Sequence, residues 1–408
     1  MAVPESGYPK KDEIIHASDV GKTFVKVETV ESSTDLWTLY TPSLVRRNDD
    51  VVDALTYVDG FLVDGIPGSA FMNVRTAKAS LQTLANEHHT HASSDFTELS
   101  DWRIRTDVSD TNDLVFEDRY HDKWYLAPDP KLGNATVFGV CYGNGKFVAV
   151  GGGGGITYST DAVNWTKVSD SKFESATVSG VCYGNGRFVA VGSYGKMTYS
   201  SDAINWTQVS SSTFGSSSVY GICYGNGKFV AVGQSGRIAY SSDAINWTKV
   251  SDSKFGPSNV YGICYGNGKF VAVGYEGKMA YSSDAVNWAK VSDPKFGSSS
   301  DINSICYGNG KFVAVGESGK IAYSSDAINW TLVPDSKFGT SYIQGICYGN
   351  GKFVAVGGDG KIARSSNGVS WTLVTDHKFG SSSAIYGICY GDGKLVAGSS
   401  GGKISYTT

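Results

Sequence analysis

Residues 223–233 read CYGNGKFVAVG, and the same eleven letters stand at 141–151, 264–274, 306–316 and 347–357, with Arg187 replacing the lysine in the copy at 182–192. With Cys389 added, the cysteines fall at 141, 182, 223, 264, 306, 347 and 389, a period of 41 or 42. Working outward, residues 206–246 read WTQVSSSTFGSSSVYGICYGNGKFVAVGQSGRIAYSSDAIN. This is four short β-rich runs, WTQV, VYGICY, KFVAVG and RIAYSS, parted by Gly, Ser, Asn and Asp turn signals, with no helical period.

A period near 40 means a solenoid or a propeller, and four strands per unit favour the propeller blade. The ends of the array decide it. A Trp stands 17 or 18 residues before every one of those cysteines, at 124, 165, 206, 247, 288, 330 and 371, yet none follows Cys389. The strand missing at the C-terminal end is therefore supplied at the N-terminal end, as a ring requires if its last blade is to have no free edge. The expected fold is all-β, a seven-bladed propeller of about 41-residue repeats over 121–408, closed by an N-terminal strand and preceded by a mixed α/β region.

Bulk properties narrow the function. Fifty-one glycines among 408 residues, without a triplet period, suit tight turns between many strands. The net charge of -4 offers no broad basic surface to nucleic-acid phosphates. The opening residues carry no apolar core of a signal peptide, and no run of roughly 18 apolar residues occurs, so a soluble chain made without an ordinary export signal and without membrane insertion is expected. Cysteines at equivalent repeat positions are held apart by the repeat, so they read as small buried apolar residues and not as disulfides.

Ser200-Ser201-Asp202-Ala203-Ile204-Asn205-Trp206, with counterparts such as 324–330, resembles the Asp-box of sialidase-type propellers, and more closely the shortened boxes of photosystem-assembly-factor-like propellers. The resemblance implies a turn between third and fourth strands fixed by the Asp, with the Trp packed between strands. It specifies fold, since such boxes serve enzymes and binding modules alike. A sialidase-like site needs an arginine cluster. After Arg119 the array has only Arg187 and Arg237, which replace a repeat Lys, and Arg364, which replaces a Tyr. Its recurring Asp belongs to the box. No catalytic residues and no cofactor are expected in the propeller, and Gly151 to Gly155 lacks the helix and Lys-Ser/Thr of a phosphate loop.

The copies differ unevenly. The YGNGK turn and the box turn are nearly constant, whereas the pair after FVAVG reads Gly152-Gly153, Ser193-Tyr194, Gln234-Ser235, Tyr275-Glu276, Glu317-Ser318 and Gly358-Asp359. The residue entering the innermost strand varies too: Phe138, Ser179, Tyr220, Tyr261, Asn303, Gln344 and Tyr386. In an up-and-down blade these positions share one face and the constant turns share the other. The expected ligand-binding set is Tyr194, Tyr220, Gln234, Tyr261, Tyr275, Glu276, Asn303, Glu317, Gln344, Asp359 and Tyr386, with Tyr rings suited to sugars and the amides and carboxylates to hydroxyls. Drift of solvated loop tips is the alternative for any one of them.

Ahead of the array, residues 74–88 carry one apolar helical face. His89-Thr90-His91 followed by Ser94-Asp95-Phe96-Thr97-Glu98-Leu99 resembles an element of trimeric bacteriophage tail fibres. That resemblance implies a homotrimer in a virion tail or related injection particle, with His89 and His91 of three chains holding a transition-metal ion on the axis. Residues 1–72 would attach to tail or baseplate proteins, 73–120 would form the oligomerising neck, and the propeller would bind a host surface glycan. An intracellular propeller scaffold for protein assembly is the alternative, and a carbohydrate-active enzyme the third reading.

Overall fold

The computed structural model describes residues 123–375, 378–381 and 383–407, together with five short strands nearer the N-terminus. The chain divides into two units, Met1–Tyr120 and His121–Thr408. In the first unit Ile14–Ala17, Lys22–Thr29 and Trp37–Leu39 form an antiparallel three-stranded sheet, and Trp102–Thr106 pairs antiparallel with Leu114–Asp118. The helical stretch expected at 74–88 and the pair His89 and His91 lie outside the described residues. Among the described residues no helix is long and apolar enough to cross a membrane.

The second unit is an all-β, seven-bladed propeller. Blade 2 shows the pattern: Val178–Gly184 innermost, then Arg187–Gly192, Met197–Ser200 and the short outer strand Thr207–Gln208. The other inner strands begin at Val137, Val219, Val260, Ile302, Ile343 and Ile385, which define blades 1 and 3 to 7. Each second strand is packed on both faces by neighbouring blades, which is why it reads as a continuous apolar run; Phe188, Val189, Ala190 and Val191 are all fully buried. The hairpin before it is a two-residue turn with both central residues left-handed, Asn185 at φ 45° and Gly186 at φ 72°, the geometry that an Asn-Gly pair adopts most readily.

Closure is by strand exchange between the ends. Trp124–Leu126 is the outer strand of blade 7, pairing with Ile404–Thr407 in the register Thr407 to Trp124 and Ser405 to Leu126. The Ser405 hydroxyl also donates to the Tyr125 carbonyl at 2.7 Å. Trp124 is 1% exposed and packs among Val354, Val356 and Ile362 of blade 6 and Ile385, Ile388 and Ala397 of blade 7. The core lies in such layers between adjacent blades; the blade 7 to blade 1 layer joins Val396 and Ile404 to Val137, Phe147 and Trp165. Gly391 abuts the ring of Tyr142, where a Cβ would lie 2.1 Å from its Cγ, and Gly184 meets Tyr224 in the same way within the array. The seam is thus packed like every other blade boundary.

Between third and outer strands sits the Asp-centred turn. In blade 3, Asp243 Oδ1 accepts the backbone N–H groups of Ile245 at 2.9 Å and Asn246 at 2.8 Å, while Oδ2 accepts the Asn246 side-chain amide at 2.8 Å. Ser241 Oγ donates to Oδ1 at 2.9 Å, and the Trp247 indole N–H donates to the Ala244 carbonyl at 3.1 Å. The bonds from Asn246 and Ile245 hold the Asp243 carboxyl well below the usual carboxylate range. Ala244 is left-handed at φ 63°, and of the turns in blades 1 to 6 that of blade 6 alone places glycine there, Gly368, beside Asn367 in place of the Asp. The outer strands span only two residues in blades 1 to 6, each beginning immediately after its Trp.

Candidate functional site

Hydrogen bonds sort the loops into two faces. On one face the Asn of the inner hairpin in blades 1, 2, 4 and 5 reaches the turn between third and outer strands of the next blade: Asn144 Nδ2 donates to Ser201 O at 3.5 Å and Asn309 Nδ2 to Ser366 O at 3.3 Å. The repeat cation does the same, Arg187 to Asp243 O at 2.7 Å and Lys228 to Asp284 O at 3.2 Å. These constant residues stitch blade to blade, which accounts for their constancy without a ligand.

The opposite face carries the second-to-third loops and the entries to the inner strands. Ser193 N donates to Thr177 O at 2.9 Å and Tyr275 N to Asn259 O at 3.0 Å, so each loop is pinned to the residue just before its own inner strand. The second residue of every variable pair is left-handed, including Tyr194 at φ 58°, Glu276 at φ 54° and Asp359 at φ 55°. Non-glycine residues held there cost about 1 kcal/mol each, yet five blades keep one.

The expected ligand-binding residues all lie on this face but divide by what they touch. Tyr194 and Tyr275 stand out into solvent, 68% and 43% exposed. Gln234 accepts Ser218 N at 3.3 Å through Oε1, Glu317 accepts Asp301 N at 3.2 Å through Oε2, and Asp359 Oδ2 accepts the Ser341 hydroxyl at 2.6 Å. These three therefore brace their own loops as well as facing outward. Asn303 donates across the blade boundary to Ile343 O at 2.9 Å. Glu276 lies 3.6 Å from the Lys278 ammonium.

Tyr220, Tyr261, Asn303, Gln344, Tyr386, Phe138 and Ser179 each occupy a β-bulge at the start of an inner strand, where the register skips one residue. A bulge turns its side chain out of the regular ladder, here at the mouth of the ring. Two aromatic pairs result: Tyr220 with Tyr261, centroids 5.7 Å apart and tilted by 56°, and Phe138 with Tyr386, 5.4 Å apart and edge to face. Burial pushes the hydroxyls of Tyr220, Tyr261 and Tyr386 up from the usual tyrosine value. The residue before each inner strand belongs to the same surface, although the sequence analysis did not select it. Comparing the copies at this position gives Thr136, Thr177, Ser218, Asn259, Asp301, Tyr342 and Ala384, as varied as the positions that were chosen. Asp301 Oδ1 accepts Glu276 N at 2.9 Å, Asn259 Oδ1 accepts Ser235 N at 3.1 Å, and the Tyr342 ring covers Gly358.

The cysteines ring the inner strands as free thiols, and burial pushes that of Cys347 up to about 12. Among the described residues no group of three or more His, Cys, Asp or Glu side chains is placed to hold a metal ion; the axial metal expected at His89 and His91 falls outside them.

No protein-family profile and no curated protein matches the chain. Solved structures do resemble it. YCF48 from Cyanidioschyzon merolae is 17% identical with a TM-score of 0.56, covering 70% of this chain and 98% of its own. YCF48 bound to a D1 peptide is 17% identical with a TM-score of 0.57, covering 70% and 94%. A catalytically inactive virginiamycin B lyase from Staphylococcus aureus, with quinupristin, is 15% identical with a TM-score of 0.58, covering 70% and 99%. At these identities the likeness establishes the β-propeller fold that YCF48 and the lyase share.

Proposed function

We propose that the propeller is a non-catalytic binding module whose variable face docks a segment of a partner protein, in the manner of an assembly scaffold. The observation that carries this is the one-sided division of labour: residues of the constant face are consumed in blade-to-blade bonds, while departures from the repeat collect around the channel mouth as aromatic, amide and carboxylate side chains. YCF48, of the same fold, binds a peptide. Catalysis is not part of the proposal, because the four repeat Asp residues from 202 to 326 and Asp161 serve turns and the arginines serve blade contacts or a single strand position.

The exposed Tyr194 and Tyr275 favour a second reading, a tail-fibre or receptor-binding protein whose propeller stacks a host-surface glycan, with the first unit attached to a particle and trimerised through residues 73–120. One experiment separates the two. The full chain is screened in parallel on peptide and bacterial glycan arrays, with Tyr220→Ala, Tyr261→Ala and Tyr275→Ala on the variable face and Lys228→Glu on the constant face. Peptide binding lost in the tyrosine variants supports the scaffold; glycan binding lost in them, with a trimer by light scattering, supports the fibre. Binding abolished by Lys228→Glu alone, with the melting temperature unchanged, would place recognition on the other face.

A further inference from the structure

The variable face is not uniform around the ring. Its two aromatic pairs are alike in separation but differ in their immediate setting. Phe138 and Tyr386 lie beside the side-chain-poor loops Gly152 to Gly155 and Ser400 to Gly402, with no carboxylate in those loops or in the residues that enter the two inner strands. Tyr261, paired with Tyr220, lies beside Asp301, whose carboxylate accepts Glu276 N at 2.9 Å and whose own N donates to Glu317 Oε2 at 3.2 Å, so the Asp301 and Glu317 carboxylates are held by backbone bonds on the loops of blades 4 and 5, with Glu276 on the blade 4 loop. The Tyr261 hydroxyl also reaches the side chains of Asn259 and Asp301.

The lysines of the same loops turn inward, Lys278 while still pairing with Glu276 at 3.6 Å, so they offset this negative field only in part. Lys320 Nζ donates to Phe296 O at 2.7 Å and to Ser300 Oγ at 2.9 Å, and Lys278 Nζ donates to Ser258 Oγ at 2.5 Å. Glu276 is 46% exposed against 31% for Lys278, so the carboxylate is the outer partner of the pair.

Resting on the protein-partner reading above, we propose that the mouth between blades 3 and 5 receives a basic side chain, Lys or Arg, from an extended segment of the partner. The half-buried ring faces of Tyr220 and Tyr261 offer the aromatic surface over which an ammonium or guanidinium is attracted, and the carboxylates at the rim supply the compensating charge. The Phe138 and Tyr386 pair, with no carboxylate in its own loops or strand entries, accepts apolar or neutral parts of the same segment and serves as a built-in comparison.

The test uses the full chain and fluorescein-labelled Gly/Ser nonapeptides that differ only in two central residues, Arg, Lys, Gln or Glu, read by fluorescence anisotropy at low and high salt. The Arg and Lys peptides should bind more tightly than the Gln peptide, the advantage should shrink as salt rises, and the Glu peptide should bind least. Asp301→Asn and Tyr220→Leu should each weaken the Arg peptide roughly tenfold. Tyr220→Phe, which keeps the ring, and Phe138→Leu should leave it within about twofold. Glu276→Gln, on an exposed loop that cannot unfold the blade, provides the same reading should Asp301→Asn lower the melting temperature. Equal affinity for the Arg and Gln peptides, or an Arg affinity unchanged in both Glu276→Gln and Asp301→Asn, overturns the proposal. If Gln or Glu peptides bind in a Tyr220-dependent way, the cation site falls while the protein-partner reading stands; if peptides of every charge fail and the glycan array responds, both fall.

Discussion

Asp243 and its counterparts Asp161, Asp202, Asp284 and Asp326 fold their turns as charged groups, each accepting two backbone N–H bonds. Their carboxyls sit below the ordinary value in the folded state, so the stability they contribute is fully present above the unfolded value near 3.9 and is lost as pH falls through and below it. Chemical denaturation midpoints should be level from about pH 5 to 8 and drop below about pH 4. Asp243→Asn, which imitates the turn blade 6 builds on Asn367, should make that drop shallower; an unchanged acid limb would contradict the assignment. The variable loops make their own single-residue prediction. Tyr194 is left-handed and exposed, so Tyr194→Gly should leave the melting temperature equal or higher, while Tyr194→Val, branched at the wrong carbon for φ 58°, should cost about 1–2 kcal/mol. The constraint itself could not be read from the letters, because Gly, Tyr, Ser, Glu and Asp share no pattern; only their common backbone angle reveals it.

Among elements, the closing strand carries the sharpest test. Trp124 fills the layer between blades 6 and 7, so Trp124→Ala should cost about 3–5 kcal/mol, comparable to a core aromatic anywhere in the ring. Removing residues 1–130 should be worse, since the edge of Ile404–Thr407 is then unpaired and open to aggregation. A truncated chain that melts with the intact one would refute closure by this strand. The displaced Trp made the closure legible in sequence, because a repeat that lacks an element at one end and has it in excess at the other leaves few alternatives. The bulges were not legible. Tyr220 and its counterparts were selected as variable entries to inner strands, but that each sits where the register skips, and that two pairs of them meet as aromatic contacts, depends on the approach of neighbouring blades. Gly221 shows how close that approach is: a Cβ there would lie 2.8 Å from the Tyr261 carbonyl, so Gly221→Ala should destabilise and should also disturb the aromatic pair.

For the whole molecule, the repetition and the departures from it answer separate questions. Near-identical blades give each boundary the same buried layer, and the thiols report its integrity: Cys141, Cys264 and Cys306 are buried and the other four half-buried, with burial pushing their titration up, so a thiol reagent should label the first three only on unfolding and the others far more slowly in the native state than after it. Native-state labelling of Cys141, Cys264 or Cys306 would mark a blade boundary that opens locally. The candidate face was legible because copies within one chain can be compared with each other. Asp301, Asn259 and Tyr342 stand two residues before the variable positions inside the inner strands, and their role appears only in the bonds and contacts that tie them to neighbouring loops.

Hydrogen–deuterium exchange of the full chain, free and saturated with the tightest peptide from the array, separates recognition by the variable loops from recognition by the constant turns. Exchange should slow at residues 234–236, 259–262, 275–277, 301–304 and 317–319, with the Asn-Gly hairpins and the Asp turns, such as 226–227 and 243–246, unchanged. Protection concentrated at those hairpins and turns, with the variable loops exchanging as in the free protein, would contradict recognition by the variable loops.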